Sequence, residues 1–258
     1  MIRLQGEDYH YLVNVRRLKP GSIFTALLPC NSVIAAITVL SIDEHTLTGS
    51  AEFRESEESG GARESIGFRG SGAQETAIPP IVLFQSLPKG SKMDLIIRQA
   101  AEGGISEIVP FVSEHSVPRN LSRDGRMERW QRIVKEARQQ SGSAVNTRVL
   151  KTLTVDELFS YWEKLQAETS RQALGLILTD PLAQASFHQY LYTRPPLVVL
   201  AVGPEGGFSR TELSRFAESG FKPLSLGENV LRTETAALCG AAAVKIILME
   251  RKWWTLKQ

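Results

Sequence analysis

The chain has 258 residues, 42% of them hydrophobic and 22% charged, with a formal net charge of +2. That length can bury a substantial core in one large or two modest domains, while so small a net charge leaves any nucleic-acid footprint to local clustering. The N-terminal MIRLQGEDYHYLVNVRRLKPG lacks the apolar run of a secretory signal, the apolar stretch from Ala236 is broken by Lys245 and too short to span a bilayer, and Cys30, Cys239 and His10, His45, His115 and His188 form no disulfide scaffold or metal-ligand spacing, so the expectation is a cytoplasmic, metal-free protein with two buried thiols.

Three β-rich pieces open the chain, SIFTALLP (22–29), SVIAAITVLSID (32–43) and HTLTGSAEF (45–53), punctuated by turn residues. They predict a small barrel or sheet near the lower size limit for independent folding, with a short helical stretch at 10–18 before it. The Gly, Ser and Glu-rich segment 55–77 has almost no large apolar side chains to offset its ordering entropy and reads as a linker. The domains expected are therefore 1–75 and 76–258.

Beyond the linker the pattern turns to alternation. IVLFQSLP (81–88) predicts a strand and SKMDLIIRQAAEGG (91–104) a helix, with Ser91 as N-cap, Asp94 in the capping-box position and Met93, Ile96, Ile97 and Ala100 on one face. Further strands are expected at 105–112, 174–180, 197–203 and 222–227, separated by helices. Short apolar strands alternating with helices imply an α/β domain with a parallel sheet covered on both faces.

Ligands of such sheets bind beyond the carboxyl ends of the strands, where loops and helix N-termini present unpaired backbone donors. Three loops fall there: 179–181, Gly203-Pro204-Glu205-Gly206-Gly207, and Gly227-Glu228-Asn229. Ser209 with Glu212 forms a capping box after the second, and Thr233 is expected to cap the helix after the third. Each loop alone is an ordinary turn; together on one edge they point to a site. Neither GxxxxGK[ST] nor GxGxxG occurs, which argues against an NTPase and a nicotinamide enzyme.

GPEGGFS (203–209) and LSLGENVLRTETAAL (224–238) resemble the cofactor loops of the SPOUT methyltransferases, specifically the bacterial enzymes that methylate uridine N3 in 16S ribosomal RNA. LPKGSKMDLIIRQAAEGGISEIVPF (87–111) and RWQRIVKEARQQSG (129–142) are similar to that family's segments in the same order. The resemblance implies a C-terminal parallel-sheet domain with a trefoil knot behind a PUA-like β-barrel. It also implies S-adenosyl-L-methionine as methyl donor, 16S ribosomal RNA or the small subunit as partner, and a homodimer, with the C-terminal helix and the tryptophans beyond it a candidate for the interface. The cofactor contacts carried over are Leu178, Thr179, Gly203, Pro204, Glu205, Gly206, Leu226, Gly227, Leu231 and Arg232.

Methylation of uridine N3 requires loss of a proton, so the site needs a base or donors that stabilise the uracil anion through its carbonyls. Arg232 is the candidate stabiliser, the alternative being an ion pair with Glu205 or Glu234. Glu205 reads as a base or as a carboxylate holding backbone N–H groups in its own turn.

Segment 119–138 carries seven basic residues against Asp124, Glu128 and Glu136, a local excess of four positive charges. On a helix, Trp130, Ile133, Val134 and Ala137 share one face. Arg129, Arg132, Lys135 and Arg138 fan over the other as phosphate contacts or as a solvated face. Arg3, Arg16 and Arg17, with His10, Lys19, Tyr9 and Tyr11, form a second basic and aromatic group suited to single-stranded RNA, unless the tyrosines serve the core. After QQSG the family commonly carries an arginine and then a proline, where this chain has Ser143 and Asn146, so the expectation is that an RNA contact made there by relatives is lost or shifts to Arg148. Two other readings stay open: an RNA-binding assembly factor without catalysis, and a knotted methyltransferase of transfer RNA.

Overall fold

The structure, a computed structural model, describes residues 1–27, 34–53, 78–117, 125–179, 190–191 and 195–250. Its two compact units are Met1–Glu64 and Ser65–Gln258. The linker 55–77, the expected division at residues 75 and 76, Asp180 and Pro181, Cys30, Arg119, Arg123, Trp253 and Trp254 lie outside the described residues.

The first unit contains β1 (Ile2–Leu4), α1 (Gly6–Tyr9) running into a π-helical turn (His10–Val15), β2 (Ile23–Leu27), β3 (Ile34–Ile42) and β4 (Leu47–Phe53). The strands form one antiparallel sheet in the order β1-β4-β3-β2. Ala35, Ile37 and Val39 alternate inward along β3 onto Leu12, Phe24 and Leu47, the period-2 pattern of a sheet with one buried face. Strand β1 went unforeseen because three residues carry no period. Tyr9 and Tyr11 pack against this core and the Tyr9 hydroxyl donates to the Asp43 carbonyl at 2.7 Å, so both rings serve the fold. Arg3, Arg16 and Arg17 are exposed.

In the second unit the chain runs β5 (Ile81–Ser86), α2 (Lys92–Glu102), β6 (Glu107–Phe111), α3 (Arg126–Ser141), β7 (Arg148–Val149), α4 (Val155–Glu168), β8 (Leu174–Leu178), β9 (Val198–Val202), α5 (Arg210–Glu218), β10 (Lys222–Leu224) and α6 (Thr233–Glu250). Six parallel strands lie in the order β10-β8-β9-β5-β6-β7. Successive residues of β5 point to opposite faces: Ile81 and Leu83 pack with α2, α3 and α6, whereas Val82 and Phe84 pack with α4 and α5. Burial on both faces explains why these strands read as continuous apolar runs.

Helix α6 can lie close on the sheet because its inner face is small. A Cβ added at Gly240 would come within 2.9 Å of Leu200 and 3.0 Å of Leu178, so this helix position fixes the separation between α6 and the strands that lead to the site.

Several local expectations give way to longer-range contacts. Ser91 makes no side-chain cap, and the Asp94 carboxylate does not close a capping box but accepts from Arg129 Nε and Nη2 at 2.9 and 2.6 Å and from Trp130 Nε1 at 3.2 Å. Helix α3 starts at Arg126, after Gly125 in the left-handed conformation at φ 80°, and its predicted apolar face, Trp130, Ile133, Val134 and Ala137, is buried. Cys239 is exposed on α6 rather than buried.

Candidate functional site

Strands β8, β9 and β10 run parallel, with β8 between the other two, so the segments that leave them emerge on one edge. The first carries Leu178 and Thr179, the second Gly203 to Gly207, and the third Leu226, Gly227, Leu231 and Arg232. A backbone bond from Thr179 N–H to the Leu224 carbonyl, 3.0 Å, ties the first to the third. Thr233 ties the third to the second, its hydroxyl donating to the Gly203 carbonyl at 2.7 Å. Thr233 is thus the first residue of α6 and a cross-strap, not the N-cap; the Arg232 carbonyl accepts the first helical bond, from Ala236 N–H at 2.8 Å.

The glycine loop is clasped from both sides. Its own capping box is present, Ser209 Oγ accepting from Glu212 N–H and Glu212 accepting from Ser209 N–H at 2.9 Å. The other oxygen of the buried Glu212 accepts from Glu114 N–H at 3.0 Å, which docks the segment after β6 onto the start of α5. From that segment His115 Nδ1 lies 3.2 Å from both the Gly206 and Gly207 carbonyls, so Nδ1 bears the proton. On the other side Glu205 accepts from Lys89 N–H at 3.1 Å and from Lys92 Nζ at 2.9 Å, and Lys92 also meets Glu234 at 3.4 Å. The left-handed residue of the loop is Gly207, φ 68°, whereas a Cβ at Gly206 would press to 3.2 Å on the His115 Cβ. Gly206 is needed for that contact, not for an unusual φ.

These contacts bear on both charged candidates. Partial burial alone would raise the Glu205 carboxyl, but the bonds from Lys92 and from backbone N–H groups outweigh it and hold the group below the usual carboxylate value. A carboxylate so occupied is a loop tether more readily than a proton acceptor. Arg232 pairs with neither glutamate, since both face Lys92; its side chain is exposed and, among the described residues, without an ion-pair partner.

The arginines assigned to RNA divide into two sets. Arg132 is exposed and makes only a 3.9 Å contact with Glu136, and Arg98, which the sequence reading passed over, lines the same polar cleft of about 230 Å³ beside Asp94 and Arg129. Arg129 is held by Asp94, Arg138 donates to Asn146 Oδ1 at 2.8 Å, and Arg148 pairs with Glu107 at 2.7 Å. Asn146, at the departure from the family pattern, and Arg148, to which a contact there was expected to shift, are thus engaged within the chain. Among the described residues no group of His, Cys, Asp and Glu is placed to hold a metal, and no helix is long and apolar enough to cross a membrane.

Sequence reasoning also missed Lys89, Lys92, His115 and Gln85. Lys89 and Lys92 stood in LPKGSK without a role. Gln85 left a visible trace as one of two polar residues, with Ser86, that close an apolar strand.

A family model described as RNA methyltransferase domain matches residues 74–245, and one described as RNA methyltransferase PUA domain matches residues 4–52. The chain is 33% identical over 179 residues to a ribosomal RNA small subunit methyltransferase E of Synechocystis, an alignment covering 68% of this chain and 56% of that protein. It is 34% identical over 167 residues to the protein of that name from Aquifex aeolicus, covering 64% of this chain and 68% of the relative. The aligned part thus spans little more than half of the Synechocystis protein. A crystal structure of a ribosomal RNA small subunit methyltransferase E from Neisseria gonorrhoeae, bound to S-adenosyl methionine, superimposes with a TM-score of 0.69 at 25% identity, over 95% of this chain and 91% of that one. With the methyltransferase model spanning most of the second unit, the chain belongs to the RNA methyltransferase family.

Proposed function

We propose that this protein methylates N3 of a uridine in 16S ribosomal RNA, using S-adenosyl-L-methionine. The observation that carries this reading is the convergence of three loops on one sheet edge beside the guanidinium of Arg232, unpaired among the described residues. The edge fits the cofactor. Gly203 to Gly207 and Gly227 offer backbone donors and acceptors with little side-chain obstruction, and Leu178, Leu226 and Leu231 are half-buried apolar surfaces that can flank an adenine. When bound, S-adenosyl-L-methionine supplies an electrophilic methyl group.

The chain's own part is alignment and charge. The loop tied by Thr233, Lys89 and His115 would hold the methyl donor in position against the uridine, a positioning effect worth several kcal/mol. Arg232 donates to a uracil carbonyl and stabilises the negative charge that grows as N3 gives up its proton. Glu205 keeps the loop in shape through Lys89 and Lys92. Phosphates are met by Arg3, Arg16, Arg17 and Arg132, joined by Arg98, while Arg129 and Arg138 offer the donors that Asp94 and Asn146 leave unused.

The division of labour follows the domain division proposed at residues 75 and 76, the first part docking RNA and the second holding the cofactor. Two copies associate through the exposed apolar side of α6, where Leu238, Ile246 and Met249 are 41%, 50% and 51% exposed beside an apolar cavity of about 250 Å³. Mass spectrometry of 16S ribosomal RNA from cells lacking the protein tests the reading. One uridine should lose its N3-methyl mass and regain it on complementation; an unchanged methylation pattern refutes it.

A further inference from the structure

Gln85 is fully buried at the carboxyl end of β5, in register with Val202, the residue before Gly203. Its Nε2 donates to the Ser86 carbonyl at 2.8 Å and to Thr233 Oγ1 at 3.0 Å. Thr233, 4% exposed, uses its single hydroxyl proton on the Gly203 carbonyl at 2.7 Å. The result is a directed chain from amide N–H to hydroxyl to carbonyl, linking β5, the start of α6 and the glycine loop. Gln85 Oε1 completes no bond of its own and is buried. An amide flip does not relieve this, because it would set Oε1 against the Ser86 carbonyl, acceptor to acceptor, and remove the donor to Thr233.

A buried acceptor without a partner costs stability, and a leucine or methionine at this place, after four apolar residues of the strand, would avoid the cost. What glutamine provides and an apolar residue cannot is the donor. A threonine hydroxyl rotates freely until something fixes it; with a donor on one side it must aim its proton at the other, here at Gly203.

We propose that Gln85 is a positioning residue of the methyl-donor site: it orients the Thr233 hydroxyl, which pins the Gly203 carbonyl and so presets the glycine loop before the cofactor arrives. The gain is preorganisation, since a loop already in its binding conformation loses less entropy on binding. This rests on the reading of residues 203–207 as a cofactor loop.

The test uses Gln85→Met, Thr233→Val and Thr233→Ser in the full chain. Hydrogen exchange of the 203–208 backbone in the ligand-free protein should quicken in Gln85→Met and Thr233→Val but stay parental in Thr233→Ser, which keeps the hydroxyl. By calorimetry both disruptive variants should bind S-adenosyl-L-methionine about tenfold more weakly, the loss of one well-placed contact. The double variant should be no worse than either single one, because one chain has been cut twice. The melting temperature of Gln85→Met should be unchanged or raised, an outcome a merely structural glutamine would not give. Parental loop exchange in Gln85→Met, or losses that add in the double variant, would overturn the proposal. If the parent itself gives no heat with S-adenosyl-L-methionine, the cofactor reading fails, while loop exchange still decides the hydrogen-bond chain.

Discussion

Two carboxylates anchor charged clusters at opposite edges of the same parallel sheet, and they are built differently. At the amino edge Glu107, 3% exposed, accepts from Arg148 at 2.7 Å and from the Tyr161 hydroxyl, whose pKa is pushed up by burial and by this bond. Every strong group there faces another. At the carboxyl edge Glu205 and Glu234 share Lys92, and Arg232 is left over, exposed and unpaired among the described residues. A closed cluster spends its interactions on the fold; an open one keeps a charge for something that arrives. Strength of pairing therefore marks structure, and a surplus charge beside a pre-tied loop marks the candidate site.

The largest expected effect breaks the open edge. Arg232→Ala should lower kcat by roughly 10²–10³-fold, as loss of one charge-stabilising donor does, while cofactor affinity and melting temperature stay parental. Parallel losses in cofactor affinity would make Arg232 a binding residue instead. The closed cluster should answer in the opposite currency. Glu107→Ala leaves the Tyr161 hydroxyl without its acceptor, for a loss of about 2 kcal/mol by denaturant unfolding. Arg148, half exposed, can turn to water, so the cost stays below that of stranding a fully buried charge. Turnover per folded molecule should not change.

The same contrast applies to the arginines. Arg98→Ala should reduce the slope of log K for RNA against log salt by about 0.7–0.9, the signature of one lost phosphate contact, whereas Arg148→Ala, already neutralised by Glu107, should leave it unchanged. Equal slopes for both variants and the parent would remove the α2–α3 cleft from the RNA path.

Much of this architecture could be read from residue order alone, and the failures have a common cause. Apolar runs located the strands and periodicity located helices α2 and α3, because burial on both sheet faces leaves a continuous run and burial of one helix face a repeating imprint. The sequence reading missed β7, whose two residues carry no repeat. It also misassigned Asp94 and Thr233, both of which look like cap residues locally but bond to partners far along the chain, Arg129 and Trp130 in one case, Gly203 and Gln85 in the other. The loops of the candidate site were visible as glycine-rich strand exits. Their clasping by His115, Lys89 and Lys92 was not, since it depends on which strands become neighbours. Capping boxes at Thr154 and Ser209 formed as local rules require, because nothing distant competes for Glu157 or displaces Glu212 from Ser209.

The smallest effect expected is a pH dependence confined to the open edge. In the folded chain the Glu205 carboxyl lies below its unfolded value, because burial, which raises it, is outweighed by Lys92 and the backbone N–H groups. Its tether therefore contributes in full above the ordinary carboxylate range and fades as pH falls through the depressed folded value. Lys92 is raised, chiefly by its bond to Glu205, so its ammonium remains charged throughout that window and only the carboxylate titrates. The difference in melting temperature between the parent and Glu205→Gln should thus be constant above the ordinary carboxylate range and shrink as pH falls below it. Loop exchange at 203–208 should quicken over the same interval in the parent and not in the variant, whose tether is already uncharged. A difference that persists undiminished at the acid end would mean that Glu205 holds the loop through shape and its neutral hydrogen bonds, and that Lys92 serves Glu234 instead.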